Sequence, residues 1–217
     1  MRIGVYGGSF NPIHVGHLLA AECSREQAAL DRVLFVPAAT PPHKADQTLA
    51  AASDRLAMLS LAIGGHDRFA ISTVELDRGG VSYTVDTLTE LAARHPDDTL
   101  VLLLGPDALA GLPGWREPRA ILDGWEVRAV VREALDDVAS LVGEPALARL
   151  LGPERADRIV ASRIRMPAIG IRASDLRAAV AAGRSIRYRT PRAVERYVEA
   201  HGLYRSDDAR QAATAVD

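Results

Sequence analysis

One cysteine, Cys23, stands among 217 residues, so no disulfide can close within the chain. That scarcity fits a reducing compartment, where thiols persist. No apolar run approaches the ~20 residues that a membrane-spanning helix requires. Met1 and Arg2 lead straight into a predicted strand. That start predicts no signal peptide, and the expected location is cytoplasmic with no membrane partner. A basic excess is missing as well. The formal charge is −2, which argues against a bulk nucleic-acid binder. Internal repeats and low-complexity linkers are absent from the printed sequence. With 48% hydrophobic residues, the chain can bury a sizeable core as one domain. The expectation is one domain over residues 1–205 and a disordered Ala- and Asp-rich tail over 206–217.

Short β-like runs recur at Ile3–Tyr6, Val33–Val36, Phe69–Thr73, Leu100–Leu104 and Val127–Val131, with a weaker one at Arg163–Met166. Helical patterns alternate with them. Leu19, Cys23 and Leu30 mark a face of the first, Leu56, Leu59 and Ile63 the second, and Val85, Leu88 and Leu91 the third. Such alternation predicts an α/β chain with a doubly wound, mainly parallel sheet. The run Val101–Leu104 is apolar on both faces, as in a strand covered on both sides. The C-terminal part reads as small and helical. Ser174 is the expected N-cap of a helix reaching about Ala182, and Gly183 ends it. Thr190 and Pro191 form an N-cap and N1 pair for the last helix, which presents Val194, Tyr197 and Val198 and stops at Gly202. Residues 133–160 read as short helices inserted after a strand.

What the chain does contain is a dense block at residues 7–17, Gly-Gly-Ser-Phe-Asn-Pro-Ile-His-Val-Gly-His, where a first strand hands over to a first helix. In an open α/β sheet that junction holds phosphates. Gly7 and Gly8 permit close backbone approach, and Pro12 fixes the turn. His14 and His17, three apart, would face the same way and could donate to phosphate oxygens. No third His, Cys or suitably spaced carboxylate accompanies them, which argues against zinc. No protein-held metal is expected.

Four further blocks follow. Pro41-Pro42-His43-Lys44 lies in a long loop after the second strand; Lys44 reads either as a surface lysine or as a point charge for a polyphosphate. Gly79-Gly80-Val81-Ser82-Tyr83-Thr84 lies between a strand ending near Glu75 and a helix starting near Tyr83. Ser82 and Thr84 suit capping, and the helix start equally suits an anion. Gly105-Pro106-Asp107 ends the central strand, with Leu112-Pro113-Gly114-Trp115 behind it. Asp107 reads as a helix cap, as an acceptor for ribose hydroxyls, or both. The Trp115 indole could stack on a flat ring, whereas Trp125 reads as packing. Ile171-Arg172-Ala173-Ser174-Asp175-Leu176-Arg177 reads as a capped basic helix or, taken with His14 and His17, as an anion site. His66, His95 and His201 read as structural or solvated.

The first block resembles the signature of the nucleotidyltransferase superfamily, which includes class I aminoacyl-tRNA synthetases. The five blocks in this order, with a closing Gly202-Leu203-Tyr204, resemble the bacterial nicotinate-mononucleotide adenylyltransferase family. The resemblance runs from about Arg2 to Arg205 and is weakest over 133–160. It implies a Rossmann-like nucleotidyltransferase fold. It also implies transfer of AMP from ATP to nicotinate mononucleotide, giving deamido-NAD and pyrophosphate in NAD biosynthesis, with Mg²⁺ held mainly through the ATP phosphates. His14 and His17 would be catalytic. The ATP-binding set would be Gly7, Gly8, Ser9, Phe10, Lys44, Gly105, Asp107, Ser174 and Arg177, with Asp107 on the ribose. Ser82, Tyr83, Thr84, Trp115 and Arg132 would bind the mononucleotide, Trp115 stacking on its pyridine. Nucleic acid is not an implied partner, and a homo-oligomer is left open.

This chain departs from the family pattern at three positions. Ser9 stands for the usual Thr, Asn11 for the usual Asp, and Arg172 for a small hydroxyl residue. The last two predict an ATP affinity or metal dependence away from the family norm. Alternatives are a related adenylyltransferase using nicotinamide mononucleotide or phosphopantetheine, or a nucleotide-binding regulator with weakened turnover. A synthetase fragment is disfavoured, because no Lys-Met-Ser-Lys-Ser-like loop or anticodon-type extension is present.

Overall fold

Runs rich in β-branched and leucine residues, interrupted by helical segments, settle into six strands of three to seven residues in a computed structural model that describes residues 1–41, 49–133 and 137–205. They are β1 (Arg2–Gly8), β2 (Arg32–Pro37), β3 (Phe69–Ile71), β4 (Thr99–Leu104), β5 (Glu126–Arg132) and β6 (Ile164–Met166). Every pairing is parallel and the order is β3-β2-β1-β4-β5-β6. Between β1 and β4 the winding direction reverses. In open α/β sheets, ligands bind outside the carboxyl ends of the strands at such a point. Register places Gly8 beside Pro37 and Leu104 beside Ala129, so those ends share one edge.

The described chain divides into two compact units. The first draws on Met1–Gly8, Leu19–Ala45 and Asp67–Ile169 and contains the sheet. Ile3, Val5, Leu34, Leu100, Leu102 and Leu104 join one core with residues of α4 (Thr84–Arg94), α6 (Pro118–Gly124) and α8 (Pro145–Ala161). Alternate positions Val33, Phe35, Val101 and Leu103 are buried too, so the central strands are covered on both faces. Gly4 sits where a Cβ would come 2.7 Å from Leu30 Cδ1 and 3.1 Å from Leu103 Cδ1. Gly4→Ala therefore overpacks this face and is expected to lower the unfolding free energy by ~1–3 kcal/mol in urea titrations. An unchanged midpoint would mean that the two leucines yield freely.

The second unit draws on Ser9–Leu18, Asp46–His66 and Gly170–Asp217. Here α2 (Ala52–Ile63) packs on α10 (Arg192–Ala200), and the Tyr197 hydroxyl donates to Asp54 Oδ1 at 2.9 Å. Phe10, Ile13, Met58, Leu59, Leu176, Ile186, Val194 and Val198 are buried in it. The helix α1 (Val15–Gln27) starts in this unit and continues into the first.

Several local expectations are corrected. The buried side of α1 is made of Ala20, Ala21 and Ser24, whereas Leu19 and Cys23 are only half-buried and Leu30 lies beyond the helix. Small residues carry the contact there, and a hydrophobicity pattern does not register them. The third strand stops at Ile71, because residues Val74–Arg78 turn into a short helix, α3. The Thr73 hydroxyl bonds to Asp77 Oδ2 at 2.8 Å across that first turn. Arg172, not Ser174, occupies the N-cap of α9 (Ala173–Ala181), with Ser174 one residue inside the helix. Pro191, not Thr190, is the N-cap of α10. The Thr190 hydroxyl donates instead to the Ile13 carbonyl at 2.9 Å, a stronger demand because that carbonyl is buried. Tyr83 takes the N-cap of α4 and makes no side-chain cap. The insertion over 133–160 does contain helices, α7 (Val138–Val142) and α8, the latter kinked at Gly152 with φ 70°. Lys44, with Pro42 and His43, lies outside the described residues, as does the segment 206–217.

Candidate active site

The loop from Ser9 to His17 is held by hydrogen bonds to its own carbonyls. The Arg55 guanidinium donates to the Ser9 carbonyl at 3.0 Å, Arg177 to the Asn11 carbonyl at 2.7 Å, and Thr190 to that of Ile13. Alternate residues of the loop are thus gripped by donors from α2, from α9 and from the lead into α10. Arg55 is only 2% exposed and its Nε also donates to the Ala50 carbonyl at 3.1 Å. The Val15 amide bonds to the Arg189 carbonyl at 3.1 Å. Phe10 holds φ at 45°, a left-handed conformation that costs a non-glycine residue about 1–3 kcal/mol. The Asn11–Pro12 peptide is cis.

This scaffold places the two histidines. The His14 carbonyl accepts from the His17 and Leu18 amides, which makes His14 the cap of α1 and turns both rings to one side. The rings stack at 3.7 Å between centroids, tilted by 22°, and Phe10 meets His17 edge-on at 5.3 Å. The His14 amide donates to His17 Nδ1 at 3.2 Å. A nitrogen that accepts a backbone N–H carries no proton, so the His17 proton resides on Nε2. His14 is 6% exposed, and its buried Nδ1 has no hydrogen-bond partner among the described residues. Burial lowers its pKa from the ordinary 6.5 to about 4. At neutral pH the His14 ring is therefore an uncharged hydrogen-bonding group.

That depression has a consequence for stability. Between pH 6.5 and about 4 the unfolded His14 takes up a proton that the folded protein refuses. The contribution is whole above pH 6.5 and drains away as pH falls toward 4, by about 3 kcal/mol in all. Urea titrations at pH 7 and pH 4.5 should show this loss in the native protein and much less of it in His14→Asn. Equal losses in both would remove His14 as the cause.

In the sheet-bearing unit, most of the remaining candidates follow the carboxyl ends of the strands. Gly7 and Gly8 end β1, and the Ala38 amide bonds to the Gly8 carbonyl at 2.9 Å. The segment after β2 is tied to the Ser-Tyr-Thr block. The Ala39 amide donates to the buried Ser82 Oγ at 3.0 Å, and the Ser82 amide to the Thr40 carbonyl at 3.0 Å. Ser82 thus works as an inter-loop tie. Behind it, buried Glu75 accepts from the Thr87 hydroxyl at 2.7 Å, joining α3 to α4. Tyr83 and Trp115 are both half-buried against the core, leaving part of each ring outside. Trp115 follows a 3-10 turn, Leu112–Gly114, with its amide on the Leu112 carbonyl. The Arg116 guanidinium lies 4.9 Å over the Tyr83 ring and 3.3 Å from Asp86 Oδ2, a cation that sequence reading missed.

Gly105 caps α5 (Pro106–Gly111), and Asp107 is exposed in its first turn. Arg132 ends β5 and is half-buried. Thr84 is the first residue of α4. Ser174 is exposed, with its Oγ 3.3 Å from Asp175 Oδ1. Among the described residues, no three His, Cys, Asp or Glu side chains gather to hold a metal ion. None of the helices described is long and apolar enough to cross a membrane.

A cavity of about 850 Å³ lies at the other end of β5, lined by Trp125, Arg128, Arg155 and Ile159 among others. Size alone would nominate it. However, Arg128 is spent on Glu126 at 2.5 Å and Arg155 on Asp123 at 2.5 Å, so its charges neutralise one another. It also sits at the amino end of its strand, away from the edge where such sheets bind ligands.

Comparison with known proteins bears on these features. The cytidylyltransferase-like family profile matches residues 5–179. A protein of Thermomicrobium roseum named "Probable nicotinate-nucleotide adenylyltransferase" is 43% identical over 209 residues, covering 96% of this chain and 94% of that one. One of the same name from Thermus thermophilus is 44% identical, covering 94% of this chain and 100% of its own. Among solved structures, Plasmodium falciparum nicotinic acid mononucleotide adenylyltransferase complexed with NaAD superposes with a TM-score of 0.70 at 18% identity. It covers 94% of this chain and 97% of that one, a likeness of fold. A profile over more than half of the chain and relatives this similar over nearly all of it show the family. The chain belongs to the cytidylyltransferase-like family and, within it, to the nicotinate-nucleotide adenylyltransferases.

Proposed function

We propose that this protein transfers the adenylyl group of ATP to nicotinate mononucleotide, giving deamido-NAD and pyrophosphate. The observation that carries the reaction class is the His14–His17 pair. It offers an uncharged His14 ring and a His17 Nε2–H, set by a backbone amide to donate. The acceptor's 5′-phosphate oxygen attacks the α-phosphorus in line, a new P–O bond forms, and the bond to the β-phosphate oxygen breaks. Such a transfer needs positioning and charge stabilisation, with no covalent enzyme intermediate. His14 and His17 donate to phosphate oxygens and stabilise charge growing on the departing pyrophosphate. Family resemblance assigns Gly7, Gly8, Ser9 and Phe10 to the turn beneath the phosphates. It gives Lys44, Ser174 and Arg177 to the outer phosphates, and Gly105 and Asp107 to the adenosine. Arg177 already lends one nitrogen to Asn11, so it would hold loop and phosphate together.

Ser82, Tyr83, Thr84, Trp115 and Arg132 are assigned to the mononucleotide. The half-exposed Trp115 ring supports stacking on a pyridine, and the relatives' shared name supports the acid over other acceptors. Mg²⁺ prefers oxygen ligands and is commonly held through substrate phosphates. The Ser9–His17 loop offers two imidazoles and an amide oxygen that already accepts two hydrogen bonds, a donor set suited to phosphate rather than to a protein-held cation. When bound with the nucleotide, the ion supplies neutralisation of phosphate charge.

The deciding assay supplies ATP and Mg²⁺ with nicotinate mononucleotide, nicotinamide mononucleotide or phosphopantetheine and follows pyrophosphate release. Fastest release with the acid is expected. Silence with the acid would overturn the reading, and release with another member would name its replacement.

A further inference from the structure

The closing Gly202-Leu203-Tyr204 has no role in the reaction as described, yet its geometry is specific. Gly202 holds φ at 58° just past the end of α10. Its amide bonds to the Glu199 carbonyl at 3.3 Å, and the Leu203 amide bonds to the Val198 carbonyl at 3.1 Å. This paired closure terminates a helix and turns the chain sharply back. Tyr204 follows with φ at 63°, a left-handed conformation that persists only where surroundings over-determine it. In that conformation the largely buried side chain reaches the first loop, where the Tyr204 hydroxyl donates to Asn11 Oδ1 at 2.7 Å. Burial pushes that phenol far above its ordinary pKa, so it remains a donor.

Asn11 is 1% exposed and cannot turn away. The Ala50 amide, which can only donate, lies 3.2 Å from the same Oδ1, fixing which end of the Asn11 amide is oxygen. Among the described residues Asn11 Nδ2 is buried without an acceptor, and the side chain is held at its Oδ1 by Tyr204 and Ala50. Three residues later the His14 cap begins.

We propose that Tyr204 is a positioning residue for the His14–His17 loop, acting through Asn11. The strained Tyr204 backbone delivers one hydroxyl, and that hydroxyl fixes the residue from which the loop enters its two histidines. A loop held loosely by even an ångström forfeits a large part of a positioning catalyst's rate.

The test uses the full-length protein and its Tyr204→Phe, Asn11→Leu and double variants. Tyr204→Phe keeps the ring and removes the donor. Under the adenylyl-transfer reading, on which only this kinetic arm rests, its kcat falls by about tenfold or more while the KM for ATP stays within about twofold. The double variant is no slower than Asn11→Leu alone, because both act through one contact. A second arm is independent of substrate: imidazole ¹H–¹⁵N resonances of His14 and His17 shift in Tyr204→Phe of the unliganded protein. A wild-type kcat in Tyr204→Phe, full additivity, or unmoved histidine resonances would each overturn the proposal. So would a loss of rate that disappears on cooling, since it would merely follow the folded fraction. If the native protein turns over no acceptor, the proposed reaction fails and the resonance arm still decides the role of Tyr204.

Discussion

Replacing His17 by alanine is expected to lower kcat for adenylyl transfer at least ~10²-fold, the scale measured when one preorganised donor to a developing negative charge is removed. The geometry makes that loss specific. His17 Nδ1 accepts from the His14 amide, so the ring's proton is on Nε2, the donor proposed for phosphate. Its ring is fixed between the stacked His14 and the edge-on Phe10, so little is left to order when substrate arrives. Alanine removes the donor, the acceptor for the His14 amide and one face of the His14 stack at once. His14→Ala should therefore couple strongly to it, with the double variant much less impaired than two independent losses would require. Steady-state kinetics of the four proteins decide this. A His17→Ala enzyme at near-native rate would leave the transition state to other groups.

The largest effect on stability is expected at Arg55. Its side chain is among the largest fully buried ones, and it donates to the Ser9 and Ala50 carbonyls. Arg55→Met keeps most of the apolar stem and removes the charge and the donors. Losing a buried charge is favourable in itself. Two half-buried carbonyls, however, then lose their donor, each at a cost of roughly 1–3 kcal/mol. The balance is a destabilisation of about 3 kcal/mol, which for a chain of this size moves Tm by roughly 6–12 °C. Activity at a temperature where the variant is folded should fall further, because Ser9 opens the histidine loop. Calorimetry showing a Tm unchanged in Arg55→Met would mean that water replaces the guanidinium and that Arg55 does not brace the loop.

Arg55 also shows where sequence reading stopped. It stands three and four positions before Met58 and Leu59, on the face that α2 buries, so a charge was sitting inside an apolar stripe. That placement was a readable signal. Its partners were not, because they are main-chain carbonyls at the far ends of loops. Thr190 failed for the same reason. Beside a proline it read as a helix cap, while its hydroxyl was claimed by a carbonyl of the first loop. The sheet was legible because alternating apolar runs report directly on burial, and Val101–Leu104 reported burial on both faces. The inward side of α1 was not, since Ala20, Ala21 and Ser24 pack by being small. The His14–His17 spacing announced two rings on one side, and the rings do stack. Their protonation could not be read, because it depends on a backbone amide and on depth. Asn11 was visible as an oddity. The two donors to its Oδ1 come from residues 50 and 204, neighbours in three dimensions only.

The Asn11–Tyr204 bond spans 193 positions. During synthesis the histidine block leaves the ribosome early, and the chain then grows for a further ~10–40 s at ordinary elongation rates before Tyr204 exists. The sheet strands have by then all been made, and each can pair with neighbours already present. The His14–His17 loop cannot be completed in that interval, because the donors from α9, Thr190 and Tyr204 are still to come. A nascent chain shortened from its C-terminal end could therefore carry the whole sheet and still lack a finished histidine loop. The first motif to be translated is the last to be finished.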